Sequence, residues 1–303
     1  IKIEENFVSV RDYGRGIPLG KVVECVSKIN TGGKYDSEAF KKSVGLNGVG
    51  TKAVNALSDY FSVSSFRDGE VKKAAFSKGK IQEDPPISKT NKHNGTLIYF
   101  TPDDEIFKNF KYIPDHLEDK IWNYAYLNSG LTLKLNNKKY LSKNGLLDLL
   151  EKHTDLEKTK YSIVHLKKED VEIAFTHAAH YGEEYYSFVN GQHTTQGGTH
   201  LTAFKESIVR SVRDFYKKDF DPLDIRSSIV AAISVKIQEP VFESQTKTKL
   251  GSTDMSPNGE TIRSKFIELF KTEFDNYLHK NKEMADSLLQ RILQSEKERK
   301  DMA

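Results

Sequence analysis

The stretch Asp12-Tyr-Gly-Arg-Gly16 is followed about thirty residues later by a second glycine-rich stretch, Gly45-Leu-Asn-Gly-Val-Gly50. The first comes directly after the strand-like run Phe7-Val-Ser-Val10, and the second leads into a helix-like segment. Because glycine lets a ligand approach the backbone, a carboxylate beside glycines can accept a hydrogen bond from an amine such as that of adenine. A glycine loop before a helix favours an anion. Taken alone, each stretch also fits an ordinary tight turn, and for the Asp12 stretch a turn is the simpler interpretation.

The second stretch matches neither of the two common phosphate-binding motifs. A P-loop needs a lysine directly after its last glycine and a hydroxyl residue next, whereas Thr51 precedes Lys52 here. A dinucleotide fold needs the spacing GxGxxG directly after a strand, and the spacing here is GxxGxG. A dinucleotide-dependent oxidoreductase is therefore a poor interpretation of this sequence.

The composition is that of a folded protein large enough for two hydrophobic cores. The chain has 303 residues, 37% of them hydrophobic and 29% charged, and its mean hydropathy is -0.59. Its apolar runs are too short to cross a bilayer, and Cys25 is the single cysteine, so an internal disulfide is excluded. These features predict a cytoplasmic protein without a membrane segment. The net charge of +3 is too small to indicate a broad nucleic-acid-binding face, so any DNA contact should be local.

Strand-like and helix-like segments are mixed without the regular alternation of a parallel α/β fold, which predicts an α+β protein. The pattern changes near residues 141–144, so two domains are expected, residues 1–144 and 145–303. The predicted strands are 7–10, 60–67, 71–77, 95–101, 161–166, 171–177, 185–189 and 228–236. The predicted helices are 19–30, 51–58, 113–128, 145–152 and 199–217, followed by a mostly helical end from residue 256 that is interrupted near 280–281.

The order of the two glycine-rich stretches resembles the GHKL (Bergerat) ATPase superfamily, which includes gyrase-type topoisomerases, Hsp90-type chaperones, histidine kinases and MutL-type repair proteins. In that superfamily DxGxG precedes GxxGxG, as it does here. The resemblance implies that residues 1–144 form an α/β sandwich that binds ATP together with Mg²⁺. It also implies that Asp12 binds the adenine amine and that Thr96 supports the adenine through water.

The resemblance assigns the remaining residues of a nucleotide site as well. These are Gly14, Arg15, Gly16, Ile17 and Pro18 in the loop beside the base, Gly45, Leu46, Asn47, Gly48, Val49 and Gly50 around the triphosphate with Thr51 next to them, Lys34 and Lys41 from a lid near the phosphates, and Arg67 at the pocket mouth. Val44 stands where a glycine is common, and Asn47 stands where a histidine is common. Because neither change removes a backbone donor, altered lid details are expected rather than lost binding.

Two segments of the second half narrow the resemblance to the B subunits of bacterial gyrase and topoisomerase IV. Gln245-Thr-Lys247 resembles their QTK loop, and Gly197-Gly-Thr-His200 resembles a loop of their transducer domain. The resemblance implies a transducer with a mixed sheet and long helices over residues 145–303, and catalytic roles for Gln245 and Lys247. In that family the lysine of the QTK loop contacts the γ-phosphate, where a cation stabilises the bound nucleotide and the transition state of phosphoryl transfer. His200 itself is expected in the core or at a helix start, without chemistry.

The whole resemblance predicts the ATP-binding and transducer part of a type IIA DNA topoisomerase B subunit, in which ATP closes the N-gate and drives strand passage. The segment Asn190-Gly-Gln-His-Thr-Thr-Gln-Gly-Gly198 favours topoisomerase IV over gyrase. The expected partners are the A subunit, DNA and, through the ATPase domain of the full protein, a second copy; no membrane is expected. Four cations of the long helix and its end either meet DNA phosphates or form a solvated face: Arg210, Arg213, Lys217 and Lys218.

The chain opens on Ile1, inside a strand-like pattern, so its beginning is expected to be missing. By the resemblance, the missing part holds the glutamate general base and the asparagine that binds Mg²⁺, and no residue here is assigned to a metal. This chain alone is therefore expected to hydrolyse ATP poorly and to dimerise weakly. Two other functions stay open, namely another GHKL ATPase such as a MutL-type repair protein and a nucleotide-sensing module that does not hydrolyse ATP.

Overall fold

The structure, a computed structural model, describes residues 1–31, 42 and 48–302. It divides into two compact units, of which the first holds Ile1–Lys41, Gly45–Trp122 and Leu131–Leu141, and the second holds Lys42–Val44, Asn123–Gly130 and Ser142–Ala303. Each unit has its own sheet and its own hydrophobic core. Helices and strands are mixed in both, so the predicted α+β class is confirmed.

The first unit is built on a seven-stranded antiparallel sheet in the described part of the chain. Its strands are β1 (Lys2–Glu4), β2 (Phe7–Arg11), β3 (Ser58–Arg67), β4 (Glu70–Ser77), β5 (Lys80–Glu83), β6 (Ser88–Lys89) and β7 (Gly95–Pro102), and a separate hairpin is made by β8 (Leu133–Leu135) and β9 (Lys138–Tyr140). The order is β1-β2-β7-β3-β4-β5, with β6 on β4. Asp68 and Gly69 both have positive φ and form the hairpin turn between β3 and β4.

Short helices cover one face of this sheet. They are α1 (Val22–Ser27) and α2 (Gly50–Ala56), and a 3₁₀ turn at Leu19–Lys21 precedes α1. A longer helix, α3 (Pro114–Leu127), follows β7 in the chain. Val22 and Val26 of α1 pack against Phe61 and Val63, which alternate along β3 and so share its inner face. The single helix expected over 19–30 is therefore a 3₁₀ turn followed by a much shorter α-helix.

The second unit combines a mixed sheet with longer helices. Its strands are β10 (Val164–Lys168), β11 (Val171–His177), β12 (Glu184–Val189), β13 (Gln192–His193) and β14 (Ile229–Val235), and its helices are α4 (Leu146–His153), α5 (Thr199–Tyr216), α6 (Pro222–Arg226), α7 (Ile262–Leu269), α8 (Asp275–Lys280) and α9 (Lys282–Asp301). The strand order is β10-β11-β14-β12-β13, and β12 runs parallel to β14 while the other pairs are antiparallel.

Aromatic side chains from three elements form much of the second core. Phe175 of β11 contacts Phe204 of α5 and also Phe270 and Phe274, with ring centroids 5.2 to 6.2 Å apart. The last two belong to one π-helical turn, Phe270–Phe274, which joins α7 to α8. No helix in the part of the chain that the structure describes is long and apolar enough to cross a membrane.

Candidate functional site

Asp12 lies directly after β2, where its carboxylate is held by backbone groups. Its Oδ1 atom accepts hydrogen bonds from the N–H of Gly14 at 2.9 Å and the N–H of Thr96 at 3.2 Å. The Asp12 N–H in turn donates to the Thr96 carbonyl at 3.0 Å. Oδ2 accepts no hydrogen bond from any described residue, and the residue is exposed. One oxygen is thus fixed while the other is left to accept a further hydrogen bond, and two residues predicted for one site are brought into contact.

Gly95 makes this arrangement possible, although nothing in the sequence marks it for that role. It is buried at the start of β7 with a φ of +132°. A Cβ at this position would lie closer than 3.0 Å to the carbonyl oxygen of Asp12, so a residue with a side chain cannot occupy it without moving the loop. The glycine is visible in the sequence beside Thr96, but its partner, Asp12, follows a strand that is far away in the chain.

Arg11 is a second residue of the site that the sequence did not predict. Its guanidinium lies 4.7 Å from the ring centroid of Phe66 and 4.7 Å from that of Tyr13. It also donates hydrogen bonds to the carbonyl of Asp12 and, at 2.6 Å, to that of His93. A cation that stacks on two rings and binds two carbonyls fixes the backbone on both sides of the site.

The loop after Asp12 is anchored on β3. Gly16 has a φ of +77°, and a Cβ there would lie 2.6 Å from the carbonyl oxygen of Phe66. The buried Ser65 donates a hydrogen bond of 2.7 Å to the carbonyl of Ile17. Three other predicted site residues nearby are exposed: Gly14, Arg15 and Pro18. Arg67 is partly buried, and its Nε lies 3.8 Å from the Oδ2 of Asp68.

Only the end of the predicted phosphate loop falls within the described residues. Lys34, Lys41, Val44, Gly45, Leu46 and Asn47 lie outside them. Gly48 has a φ of +56°, and a Cβ there would lie 2.8 Å from the Thr31 carbonyl oxygen, to which Lys52 donates a hydrogen bond of 3.0 Å. Burial lowers the pKa of the Lys52 ammonium. The predicted residues Val49, Gly50 and Thr51 lie at the start of α2, which has no side-chain cap.

Gln245 and Lys247 lie in the second unit, in a tight loop whose ends pair with each other. The N–H of Glu243 donates to the Lys249 carbonyl at 3.0 Å, and the N–H of Lys247 donates to the Ser244 carbonyl at 3.0 Å. Lys247 itself has a φ of +56°, the left-handed conformation that closes the turn. Gln245 is exposed, and Lys247 is partly buried.

The segment before α5 supports this loop through the backbone, a contact that the sequence did not predict. The N–H of Leu250 donates to the Gly197 carbonyl at 3.0 Å, and the Leu250 carbonyl accepts from the Thr199 N–H at 3.2 Å. The N–H of Gln196 donates to the Thr248 carbonyl at 2.9 Å. Gly198, with a φ of +132°, runs so close that a Cβ would lie within 3.0 Å of the Leu250 backbone. The two motifs of the second half are therefore one backbone assembly.

His200 and the cations of α5 occupy structural positions. His200 is fully buried, its Nε2 lies 3.1 Å from the Thr194 Oγ1, and burial lowers its pKa to about 4, so it is neutral and belongs to the core, as expected. Three of the four cations pair with carboxylates: Arg210 with Asp214, Arg213 with Asp219, and Lys218 with Glu296. These pairs leave a mixed surface rather than an unbroken positive one.

Sequence comparison relates the chain to one family of proteins. The sequence model of the DNA gyrase B family matches residues 134–303. The B subunit of DNA topoisomerase 4 from Borreliella burgdorferi is 47% identical over 303 residues, which make up 100% of this chain and 49% of that protein. The B subunit of DNA gyrase from Thermotoga maritima is 33% identical over 331 residues, covering 98% of this chain and 51% of that protein. The chain thus spans about half the length of the curated relatives it matches.

Solved structures agree with this relationship. The 43K ATPase domain of Thermus thermophilus gyrase B, in complex with an aminocoumarin, matches 99% of this chain and 84% of its own with a TM-score of 0.76 and 26% identity. The topoisomerase IV ATP-binding domain of Francisella tularensis, in complex with a small-molecule inhibitor, matches 98% of this chain and 86% of its own with a TM-score of 0.75 and 25% identity.

Proposed function

The chain belongs to the DNA gyrase B family, and from that premise we propose that it is the ATP-binding and transducing part of a type IIA DNA topoisomerase B subunit. The observation that carries the proposal is the Asp12 carboxylate, which is fixed through one oxygen by two backbone N–H groups and presents the other to solvent. An adenine amine is a donor that suits this acceptor. The 47% identity to a topoisomerase 4 relative favours topoisomerase IV over gyrase.

ATP would bind with its base at Asp12 and its phosphates toward residues 48–51. The anchored carbonyl of Ile17 and the close approach at Gly16 support this arrangement, because they hold a glycine loop open to a flat ring. Arg67 would lie at the mouth of the pocket, and Lys34 and Lys41 would approach the phosphates. Mg²⁺ would accompany the triphosphate, and we assign it no ligand among the residues that the structure describes.

Lys247 would meet the γ-phosphate of the nucleotide, with Gln245 beside it. A cation there stabilises the bound triphosphate and the charge that develops during phosphoryl transfer. The backbone bonds between Gly197 and Leu250 support the proposal, because they make the loop and the start of α5 a single body. Loss of the γ-phosphate would then release loop and helix together, which is how a bound nucleotide can drive a domain movement.

In the full protein, this movement would close the N-gate and drive the passage of one DNA segment through another. The partners would be the A subunit, DNA and a second copy of this chain joined through the ATPase domain. The compartment would be the cytoplasm, where bacterial DNA lies. Because α5 carries paired rather than free cations, its contacts with DNA phosphates would be few and local.

The nucleotide site is tested by ATP titration of this chain and of Asp12→Asn. The substitution keeps the shape of the side chain but removes its charge, so the ATP affinity should fall by about 10- to 100-fold. Asp119→Asn is the matched control, because it removes an exposed carboxylate from α3 of the same unit and should bind ATP as the wild type does. An Asp12→Asn variant with wild-type affinity would exclude this site.

The reaction is tested on the complete B subunit together with its A subunit and plasmid DNA. ATP-dependent supercoiling would identify a gyrase, and ATP-dependent decatenation without supercoiling would identify topoisomerase IV. Tight ATP binding without any ATP-dependent change in DNA topology would contradict both and would favour a nucleotide-sensing module.

A further inference from the structure

A cavity of about 570 Å³ opens in the second unit between helix α9 and the segment that follows β11. It is separate from the loop of Gln245 and Lys247, since neither residue lines it. The side chains that matter for its chemistry are Lys160, His180, Ser228, Gln290, Arg291 and Glu298. No step of the proposed ATP-driven reaction uses any of them.

Arg291 is a buried cation with neutral hydrogen-bond partners. Its side chain is 9% exposed. The guanidinium donates to the Ser228 hydroxyl at 2.9 and 2.6 Å and to the Ser227 hydroxyl at 3.1 Å. The carboxylate of Glu298 lies 3.7 Å from Nη1, too far for a hydrogen bond. Arg291 and Glu298 thus form an ion pair without a hydrogen bond, and Nη1 donates to no described residue, so it can still donate to an anion.

Two more donors line the same cavity. The Nε2 atom of His180 is buried and has no hydrogen-bond partner among the described residues. Lys160 is exposed and forms no ion pair within the described part of the chain. A guanidinium, an imidazole and an ammonium group on one cavity wall are the donors that bind oxyanions such as phosphate.

Glu298 restricts which oxyanion can enter. Its Oε1 accepts a hydrogen bond of 2.8 Å from Gln294, so the carboxylate is held in place on the cavity wall. A carboxylate is only an acceptor, and it repels an anion that has no proton to offer. An anion that keeps an O–H can donate it to Glu298 while its other oxygens face the cations. Near neutral pH, phosphate keeps such a proton and sulfate does not.

We propose that this cavity binds free inorganic phosphate in a protonated form. Arg291 and His180 would donate to its unprotonated oxygens from the buried side, with Lys160 at the exposed side, and Glu298 would accept from its hydroxyl. A phosphate ion fills only a few water volumes, so the cavity has room for it.

Calorimetric titration with inorganic phosphate and with sulfate tests the proposal on the protein as it stands. Phosphate should bind saturably, and sulfate should bind at least about tenfold more weakly, because one charged hydrogen bond is lost and replaced by repulsion. Lys160→Ala and His180→Ala should each weaken phosphate binding by about tenfold. Lys282→Ala, which removes an exposed cation from the same helix α9, is the control and should leave phosphate binding unchanged.

Glu298→Gln gives the sharper test, because it replaces the acceptor by an amide that can also donate. Sulfate binding should strengthen and the preference for phosphate should disappear. Equal binding of the two anions by the wild type, or an unchanged preference in Glu298→Gln, would overturn the proposal. So would phosphate binding that survives both Lys160→Ala and His180→Ala. Titration with glycerol phosphate above neutral pH adds a third comparison, because a phosphate monoester has lost its last proton there. It should bind much more weakly than inorganic phosphate, and equal or tighter binding would overturn the proposal.

Discussion

The two units use the same backbone device for different purposes. Gly95 in the first unit and Gly198 in the second both have a φ of +132°, and at each a Cβ would collide with a backbone carbonyl. Gly95 packs against the backbone of Asp12, whose exposed carboxylate is the group that we propose binds adenine. Gly198 fixes the buried Leu250, from which a loop extends to Lys247. A glycine can therefore position a neighbouring side chain directly, or it can position a loop that carries a more distant side chain.

This difference sets what each glycine should control. The carboxylate of Asp12 is one side chain away from the carbonyl that Gly95 approaches, so its position should depend directly on Gly95. Lys247 is three residues from Leu250 and also depends on the turn closed by its own left-handed φ. We therefore expect changes at Gly95 to affect the binding of any adenine nucleotide, and changes at Gly198 to affect stability and the γ-phosphate contact.

Gly198→Ala should have the largest effect on stability. The new methyl group meets rigid backbone on a buried residue and also strains a φ of +132°, so the free energy of unfolding should fall by about 3–5 kcal/mol. Urea denaturation measures the loss. Gly191→Ala is the control for strain alone, because its φ is +85° and its Cβ would meet nothing within 4 Å. Equal losses in the two variants would show that the close approach to Leu250 is unimportant.

Gly95→Ala should cost less stability, about 2–3 kcal/mol, because the exposed loop of Asp12 can shift away from the new methyl group. The shift should also weaken ATP and ADP binding by the same factor, since both carry adenine. Nucleotide titrations together with urea denaturation check both effects. Gly69→Ala, strained at a φ of +82° but uncrowded, should lose stability without losing nucleotide affinity. Normal nucleotide affinity in Gly95→Ala would separate this glycine from the site.

Two buried histidines should make the second unit sensitive to mild acid. Burial lowers the pKa of His177 and of His200 to about 4, below the 6.5 of an exposed histidine. Between these values the unfolded chain binds more protons than the folded one, so stability falls as pH falls. Going from pH 7 to 5.5 should lower the free energy of unfolding by about 1 kcal/mol for each histidine.

Urea denaturation at the two pH values measures this slope in the wild type and in two variants. His200→Asn removes one buried imidazole and should roughly halve the pH-dependent loss. His116→Asn, at an exposed position of α3 in the first unit, should leave it unchanged. A pH-independent stability in the wild type would mean that neither buried imidazole resists protonation.

Strands could be predicted from the sequence where most of their residues are buried. The strand expected over 171–177 is the observed β11, because six of its seven residues are buried. Strands β5 and β6 were missed, since every one of their residues is exposed and no apolar pattern marks them. The strand expected over 161–166 is instead Val164–Lys168. Tyr161 lies outside it, where its hydroxyl and carbonyl contact His177 and Thr176.

The residues of the candidate site could also be predicted only in part. Asp12 and Lys247 could be proposed from the sequence, because each lies in a short motif that resembles one of the family. The roles of Gly95 and Arg11 could not, because they arise from backbone approaches and ring contacts between segments far apart in the chain. The π-helical turn at Phe270–Phe274 was likewise hidden inside a continuous helical pattern.

The most direct test of the proposed coupling is the affinity of this chain for ATP and for ADP, measured for the wild type, Lys247→Ala and Lys249→Ala. Lys249 is the matched control, since it lies in the same loop but pairs with Glu243 at 3.0 Å. We predict that Lys247→Ala weakens ATP binding about tenfold, the value of one charged hydrogen bond, and leaves ADP binding unchanged. Lys249→Ala should change neither. Equal weakening of both nucleotides, or none, in Lys247→Ala would contradict the claim that the second unit reads the γ-phosphate.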